Sequence, residues 1–458
     1  MSGSAELEAA AAAVLRANWS GTATLPSRDQ YPHQWSWDSA FISIGLARVD
    51  AGRARQELRS LFLGQWSSGL VPQIVFDAAT DPEAYFPGPA FWRSAAAPGA
   101  PAAATSGIVQ PPVHARAVLA AYLAEEGSDE AWEFLRKTYP RLCAWHNYLY
   151  EQRDLGGAGL VAIVHPWESG LDNSPMWDGM LRHGGEPAGD APFQRRDLSH
   201  VDAGHRPTDA DYLAYVQLAT QYRDAGYADA NLGEHGFVVE DPLFNALLLD
   251  AELCCARLAE ILGADPAPHR EAAQRLHHAM TARLWDAGNS RFAARDVRTA
   301  ALSQVATVSS LVPLLDPWLS PRVRQAVLDL AWSPEFLGGC DYPLPSTSLA
   351  SPHFDRRRYW RGPTWINTNW LVWHAACQAG ATELADRVAE SSLALVARGG
   401  FREYFDPISG DGLGAQDFSW SAALTLDFLH HAQSGAAGRP AAPASDEVGS
   451  PAGASDTR

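Results

Sequence analysis

Apolar side chains recur at three- and four-residue spacing through most of this chain of 458 residues, which is the period of helices that bury one face. Asp, Ser, Thr or Pro stands at many of the starts, as is typical of helix N-termini. The pattern predicts helices at 5–18, 37–48, 54–63, 111–125, 129–152, 209–224, 242–262, 269–285, 300–315, 321–331, 364–378, 382–397 and 416–432. Strand-like alternation is rare and short. The chain is therefore predicted to be all-α and built from repeated antiparallel helix hairpins.

Three long segments, 71–110, 163–208 and 338–363, interrupt this pattern. They are poor in helix-forming patterns and rich in Pro, Gly, Trp, Tyr and charged residues. Loops of this length in a compact chain are usually functional, and their aromatic content argues against disorder. By contrast, residues 434–458 contain Ser, Ala, Pro and Gly without an aromatic residue, which predicts a disordered tail after a single domain at 1–433.

The composition excludes several classes of function. A formal net charge of −18 argues against nucleic acid or an anionic membrane as the partner, and no apolar run reaches the length of a membrane span. The first residues carry Glu6 and Glu8 and lack the basic start of a signal peptide, so a cytoplasmic protein is predicted. Five cysteines without metal-type spacing are predicted to be reduced thiols. The sequence is compatible with a monomer or a homo-oligomer.

Acidic and aromatic residues concentrate in four stretches at predicted helix entries: 31–39, 165–178, 358–370 and 400–421. If alternate helices of a closed ring point their N-termini to one end, all four stretches meet there. Aromatic faces pack on sugar rings, and carboxylates accept hydrogen bonds from sugar hydroxyls. The composition therefore predicts a carbohydrate site, for which the 17 Trp residues of the chain supply the aromatic surface.

Glycoside hydrolysis needs two carboxyl groups that face each other across the scissile bond. We predict Asp172 and Glu403 as this pair, with Glu168 and Asp406 as competitors from the same stretches. Structural alternatives remain open for both: Asp172 could cap a short helix, and Glu403 could pair with a neighbouring arginine. An acid catalyst also needs a raised pKa, whereas a helix N-terminus favours the carboxylate, and the sequence does not decide between them.

The motifs at 34–38, 168–175, 359–365 and 402–407 resemble those of glycoside hydrolase family 63, and the resemblance covers about residues 15–432. It implies an (α/α)6 barrel and an inverting mechanism in which Asp172 is the general acid and Glu403 the general base. It also implies that the sugar is bound by one group of residues and a glycerate aglycone by another. The first group is Tyr31, Trp35, Trp37, Asp38, Tyr359, Trp360 and Trp365, and the second is Gln110, Arg206 and Tyr212.

Within that family the likeness is greatest to bacterial enzymes that hydrolyse glucosylglycerate and mannosylglycerate. It implies hydrolysis of 2-O-(α-D-glucosyl)-D-glycerate, a small anionic sugar, to glucose and glycerate without a metal or organic cofactor. Alternatives are a hydrolase of the same fold acting on mannosylglycerate, another small α-glucoside or an oligosaccharide, and a non-catalytic sugar-binding protein. An epimerase would be expected to use a histidine pair, and only His33 and His165 lie in the four stretches.

Overall fold

The computed structural model describes residues 2–181, 194–199, 201–229 and 235–434. Residues 182–193 and 200 of the predicted loop 163–208, and all but the first residue of the predicted tail 434–458, lie outside the described residues. The helices are α1 Ser2–Ala17, α2 Ser36–Leu46, α3 Ala51–Leu63, α4 Pro89–Trp92, α5 His114–Leu123, α6 Asp129–Arg153, α7 Asp178–Leu181, α8 Asp209–Asp224, α9 Pro242–Leu262, α10 Ala267–Arg283, α11 Pro321–Trp332, α12 Ile366–Gln378, α13 Thr382–Gly399 and α14 Ser419–Ser434.

Short antiparallel strands of two residues each join the loops between these helices. They are β1 Gln34–Trp35, β2 Ile74–Val75, β3 Ala162–Ile163, β4 Val239–Glu240, β5 Trp285–Asp286, β6 Arg291–Phe292, β7 Arg295–Asp296, β8 Tyr404–Phe405 and β9 Gly412–Leu413. β3, β4 and β7 form a three-stranded sheet, and the other strands pair as β1–β2, β5–β6 and β8–β9. These ladders fix the loops that follow the helices.

The helices form an (α/α)6 barrel. Its inner ring runs from α2 to α5, α9, the 3-10 turn Val312–Leu315, α12 and α14, and closes where α14 packs on α2. In the second layer α3 packs on α2, α6 on α5, α10 on α9, α13 on α12 and α1 on α14. Every residue of α2 is buried, as expected of an inner helix with neighbours on all sides.

The prediction of a helix at 300–315 is wrong. Leu302 instead bridges to Arg295, and Thr307 bridges to Thr347, so at these positions the backbone pairs with other segments of the chain and does not continue a helix. Only Val308–Ser310 and Val312–Leu315 form 3-10 turns. The apolar spacing arises because the segment is buried on several sides in the inner ring, and periodicity alone does not distinguish this from a helix.

Contacts between the two ends of the chain close the ring. The Asn18 side-chain amide donates to the Asp417 carbonyl at 2.7 Å and to Ser419 Oγ at 2.9 Å. Ser419 Oγ in turn donates to the Leu25 carbonyl at 2.6 Å. The entry to α14 is thereby fixed beside the segment that leads into α2.

Three of the four motif stretches lie where inner helices begin: residues 31–39 lead into α2, 358–370 into α12 and 400–421 into α14. The remaining stretch, 165–178, instead lies in the loop between β3 and the short helix α7, outside the inner ring. A bridge between Thr364 and Phe405 connects two of these stretches directly. Within the described part of the chain, no helix is both long enough and apolar enough to cross a membrane.

Candidate active site

Two adjoining cavities, of about 430 and 350 Å³, open where the motif stretches meet. Both are lined by Tyr31, Trp35, Asp172 and Tyr359. The carboxylate cavity, the smaller, is completed by Trp37, Asp38, Gln110, Gly170, Trp360, Glu403, Phe418 and Trp420. The arginine cavity is completed by Gln73, Tyr85, Trp167, Asp197, Arg206, Pro207 and Tyr212. The two predicted catalytic carboxyl groups thus share one cavity.

A tight turn holds Asp172 in the wall between the cavities. Gly170, with φ +72°, occupies the left-handed region, and a Cβ atom there would lie 2.4 Å from the Trp37 indole. The Trp177 indole N–H donates to the Leu171 carbonyl at 2.9 Å, so the backbone next to Asp172 is fixed from both sides. Asp172 itself does not cap the helix that follows: Ser174 caps Pro175–Trp177.

The environment of Asp172 suits a proton donor. Burial raises the pKa of its carboxyl group to about 7, although the charge of Arg206 and a hydrogen bond from Tyr359 Oη at 3.4 Å oppose the shift. Desolvation therefore outweighs both effects that favour the carboxylate. Trp167, five residues before Asp172, lines the adjoining arginine cavity.

Glu403 faces the same cavity from the other side of the ring, directly before β8. Its Oε1 accepts hydrogen bonds from Tyr31 Oη at 2.7 Å and from Arg206 Nη1 at 3.1 Å. Its Oε2 accepts one from the backbone N–H of Ala415 at 2.9 Å. Gly414, at φ +66°, makes room for this contact, since a Cβ atom there would lie 2.4 Å from Oε2. The carboxylate is held by three donors.

The two competing carboxylates, Glu168 and Asp406, form ion pairs and hydrogen bonds within the protein. Glu168 is fully buried and accepts two hydrogen bonds from Arg153, at 2.9 and 3.0 Å, and one from the Val164 N–H at 2.7 Å. Asp406 pairs with Arg356 at 3.1 Å and accepts the N–H of Ile408 at 2.9 Å. Neither residue lines a cavity. Of the four candidate carboxylates, only Asp172 and Glu403 are available to a ligand.

Aromatic rings form the wall of the carboxylate cavity, and they include Trp37 and Trp360 as predicted. The predicted site residue Trp365 does not line either cavity. It stacks behind Trp360 with ring centroids 3.7 Å apart, and its indole N–H donates to the Tyr359 carbonyl at 3.0 Å. Trp365 therefore positions two residues of the wall and does not form part of it.

Asp38 and Gln110 lie together at the start of α2. Burial raises the pKa of Asp38, in the first turn of this helix, well above its usual value. Gln110 Oε1 accepts the backbone N–H of Trp37 at 3.1 Å. Gln110 thus lines the carboxylate cavity, whereas Arg206 and Tyr212, which the resemblance groups with it, line the arginine cavity.

Arg206 is buried, with 3% of its side chain exposed, so it is not a solvated loop charge. It donates to Glu403 and, from Nη2, to Tyr31 Oη at 2.8 Å, and its guanidinium lies 4.1 Å from the centre of the Tyr359 ring. Tyr212 is held nearby by a hydrogen bond to the Phe86 carbonyl at 2.9 Å. A cation with this burial can bind an anionic ligand group bidentately.

Eight residues that line the cavities were not among the predicted site residues: Gln73, Tyr85, Trp167, Gly170, Asp197, Pro207, Phe418 and Trp420. Tyr85 packs edge-on against Trp35, with ring centroids 5.6 Å apart. Its aromatic character and its place in the loop 71–110 could have identified it. Trp420 lies in the fourth motif stretch, but Gln73 and Asp197 stand in no distinctive pattern.

Two indole N–H groups at the cavities lack partners. Trp35 Nε1 and Trp420 Nε1 are buried and make no hydrogen bond within the described residues. Buried donors are normally paired, so these two are available to the hydroxyl groups of a ligand.

Known proteins of one family match most of this chain. Residues 31–421 match the family model of the mannosylglycerate hydrolase MGH1-like glycoside hydrolase domain. The chain is 41% identical over 429 residues to the mannosylglycerate hydrolase of Rubrobacter radiotolerans, which covers 93% of this chain and 97% of that protein. It is 37% identical over 442 residues to the glucosylglycerate hydrolase of Mycolicibacterium hassiacum, with 93% and 98% covered.

A solved structure has the same fold. The crystal structure of a family 63 mannosylglycerate hydrolase from Thermus thermophilus, in complex with Tris and D-glycerate, is 40% identical and superposes with a TM-score of 0.86. The match covers 93% of this chain and all (100%) of the other. The protein therefore belongs to the mannosylglycerate hydrolase MGH1-like domain family and is a glycoside hydrolase of family 63.

Proposed function

We propose that this protein is an inverting hydrolase of 2-O-(α-D-glucosyl)-D-glycerate. The observation that carries the proposal is that Asp172 lines both of the two adjoining cavities. On one side lies a cavity with a second carboxylate, Glu403, and on the other a cavity with a buried arginine, Arg206. A sugar linked to a small anion matches these two halves.

In the proposed reaction Asp172 donates its proton to the glycosidic oxygen as the bond from this oxygen to the anomeric carbon breaks. Glu403 takes a proton from a water molecule, whose oxygen attacks the anomeric carbon from the opposite face. The products are β-glucose and glycerate, and both carboxyl groups then return to their starting protonation states by exchange with solvent. An inverting enzyme of this kind is expected to hold its two carboxyl groups about 6.5–9.5 Å apart in the substrate complex.

The glucose ring would lie in the carboxylate cavity, where Trp37 and Trp360 offer aromatic faces. Asp38 and Gln110 are placed to bind its hydroxyl groups. Burial raises the pKa of Asp38, and a protonated carboxyl group there would add a hydrogen-bond donor to the site.

The glycerate carboxylate would bind Arg206 in the arginine cavity. In the structure without substrate this guanidinium donates to Glu403 Oε1 and Tyr31 Oη. A substrate carboxylate would compete with Glu403 for the hydrogen bonds of Arg206. Binding of the anionic aglycone would therefore release Glu403 Oε1 from Arg206, and this oxygen could then accept a hydrogen bond from the attacking water. The crystal structure of the Thermus thermophilus relative in complex with D-glycerate supports a glycerate site in this fold.

Mannosylglycerate is the second candidate substrate. It differs from glucosylglycerate in the configuration at one sugar carbon, and relatives named for its hydrolysis are 41% and 42% identical to this chain. The relative named for glucosylglycerate is 37% identical.

Comparison of three substrates tests the proposal: α-glucosylglycerate, α-mannosylglycerate and methyl α-glucoside, each with wild-type enzyme and Arg206→Gln. We expect kcat/KM for glucosylglycerate to fall by about 10- to 100-fold in the variant, as for loss of a charge-assisted hydrogen bond. Methyl α-glucoside has no carboxylate, so its hydrolysis should fall less. Arg223→Gln, on α8 and outside both cavities, is the matched control.

An equal loss for glucosylglycerate and methyl α-glucoside would show that Arg206 does not recognise the aglycone. If the wild-type enzyme hydrolysed α-mannosylglycerate faster than α-glucosylglycerate, mannosylglycerate would be the substrate instead. Hydrolysis of neither glycerate glycoside by the wild-type enzyme would overturn it.

A further inference from the structure

A second cluster of reactive side chains lies between three barrel helices, away from both cavities. His146 on α6, Cys255 on α9 and His269 on α10 each offer a donor atom, and these three atoms lie within 4.8 Å of one another. His146 and Cys255 are buried, whereas His269 keeps 13% of its side chain exposed. None of the three lines the carboxylate cavity or the arginine cavity.

The helix geometry brings further donors to the same place. Cys143 precedes His146 by three residues on α6, and Glu252 precedes Cys255 by three residues on α9, so each pair shares a helix face. His269 lies in the first turn of α10, which packs on α9. The cysteine spacing along the sequence showed no metal site, because the ligands come from three separate helices.

The distances within the cluster are close to those between ligands of one metal ion. Glu252 Oε1 and Oε2 lie 3.0 Å from His146 Nδ1 and 2.5 Å from His269 Nδ1, respectively. Cys255 Sγ lies 4.0 Å from His146 Nδ1. Tetrahedral zinc with bonds of about 2.0–2.3 Å separates neighbouring nitrogen, oxygen and sulfur ligands by roughly 3.3–3.6 Å. The three distances differ from these separations by about 0.3–0.8 Å, and the outer limit of 4.8 Å for the cluster differs by about 1.2 Å.

Hydrogen bonds hold most donor atoms of the group, and His269 Nε2 lies 2.9 Å from Tyr139 Oη, so a metal ion would replace some of these bonds. His146 Nε2 is buried and has no partner within the described residues. Glu252 contacts both imidazoles and also accepts from Tyr150 Oη at 2.9 Å. A carboxylate that holds two imidazoles in this way either orients them for a metal or joins them as a ligand.

We propose that His146, Cys255 and His269, with Glu252, form a structural zinc site that joins the inner helix α9 to the outer helices α6 and α10. Sulfur, nitrogen and oxygen donors together suit zinc, which is borderline in softness. On binding, the Cys255 thiol loses its proton to solvent, and the thiolate and the carboxylate of Glu252 neutralise the dication. The partly exposed edge of His269 gives the ion a path from solvent.

Cobalt substitution tests the site on the full-length protein after treatment with a chelator. We expect one equivalent of Co²⁺ to produce intense visible bands of tetrahedral cobalt and a near-ultraviolet band of sulfur-to-cobalt charge transfer. Zn²⁺ should displace the cobalt and raise Tm, because an ion that binds only the folded state stabilises it. Hydrolase activity serves as a separate readout and should not depend on the metal, since the cluster is remote from Asp172 and Glu403.

Variants identify the ligands. Cys255→Ser should abolish the charge-transfer band, and His269→Gln should abolish tight binding and the rise in Tm. Cys254→Ser is the matched control, because Cys254 is the adjacent buried thiol on α9 and lies outside the cluster. It should keep the full cobalt spectrum.

The wild-type spectrum decides the proposal even if a variant fails to fold. Absence of tetrahedral bands and of any rise in Tm with excess Zn²⁺ would overturn it. A charge-transfer band that persists unchanged in a folded Cys255→Ser protein would also overturn it, since the ion would then lie elsewhere.

Discussion

At the scale of single residues, the proposed chemistry depends on how Asp172 and Glu403 are surrounded. Both lie in the same cavity, but burial dominates at Asp172, whereas Glu403 is held by three hydrogen-bond donors. Both residues were predicted from the sequence, which left open whether the pKa of Asp172 is raised by enclosure or lowered by a helix N-terminus. The sequence does not answer this, because the burial of Asp172 depends on loops from distant parts of the chain.

The first prediction concerns the pH dependence of turnover. Asp172 must be protonated to act as the acid, and its pKa in the free enzyme is about 7. Above this pH the fraction of protonated acid declines, so kcat/KM should fall tenfold per pH unit on the alkaline side, with a midpoint near 7. A pH profile of kcat/KM measures it. A profile that stays flat from pH 6 to 9 would contradict the assignment of Asp172.

The second prediction concerns stability and follows from the same pKa. The folded carboxyl group resists ionisation until about pH 7, whereas in the unfolded chain it ionises near its usual pKa of 3.8. Wild-type protein therefore loses stability as the pH rises through this interval. Asp172→Asn should match wild type in Tm near pH 4 and exceed it near pH 8, while losing activity. Thermal melts at both pH values check this, and equal Tm at pH 8 would count against a raised pKa.

At this scale, the sequence motifs did not identify correctly every side chain that lines the cavities. The family resemblance implied that Trp365 binds the sugar, but its ring packs behind Trp360. A motif indicates that residues are near a site without showing which side chains reach its surface. Gln73 and Asp197 reach that surface without belonging to any motif.

At the scale of elements, close approaches between loops set the position of the acid. Gly170 touches the Trp37 indole, and Glu168, two residues earlier, is tied to Arg153 at the end of α6. The predicted helices were largely correct because their apolar faces pack in the barrel. The segment 300–315 was wrong because its apolar residues are buried without forming a helix.

The third prediction is that Gly170→Ala reduces both stability and turnover. The new Cβ atom would meet the Trp37 ring, and alanine would also occupy a left-handed conformation, which costs about 1–3 kcal/mol. Gly157→Ala is the control, since Gly157 has φ +61° with no atom within 4 Å of a Cβ atom. Denaturation and kinetics should show stability losses from backbone strain in both variants, but lost activity only at Gly170. Unchanged kcat/KM in Gly170→Ala would contradict the role of this contact.

The fourth prediction is that Glu168→Gln lowers stability. Glu168 and Arg153 are both fully buried, and breaking a buried ion pair typically costs about 3–5 kcal/mol. Asp224→Asn removes the exposed pair with Arg93 and should cost much less. Urea unfolding compares the two variants. If Glu168→Gln kept its stability and lost activity as completely as Asp172→Asn, Glu168 would be the better candidate for the acid.

At the scale of the whole molecule, the barrel brings together residues that are far apart in sequence. The N-terminal segment 31–39 and the segment 400–421 meet because α14 packs on α2. The family resemblance predicted this topology, whereas helix periodicity alone predicted only hairpins. Cytoplasmic location, the oligomeric state and the single domain at 1–433 stay predictions of the sequence.

The fifth prediction is that deletion of residues 435–458 leaves Tm and kcat/KM unchanged, because the described residues that line the cavities end at Trp420. A longer deletion that also removes α14 should abolish folding, since this helix closes the ring against α1 and α2. Circular dichroism and activity assays on both truncated proteins check this. Loss of activity in the shorter deletion would show that the tail contributes to the site.

The most direct test of the central claim is NMR detection of the sugar anomer first released from α-glucosylglycerate. Inversion by Asp172 and Glu403 predicts that β-glucose appears first and mutarotates later, and that Asp172→Asn and Glu403→Gln release none at a comparable rate. Initial release of α-glucose, or wild-type turnover in either variant, would contradict the account.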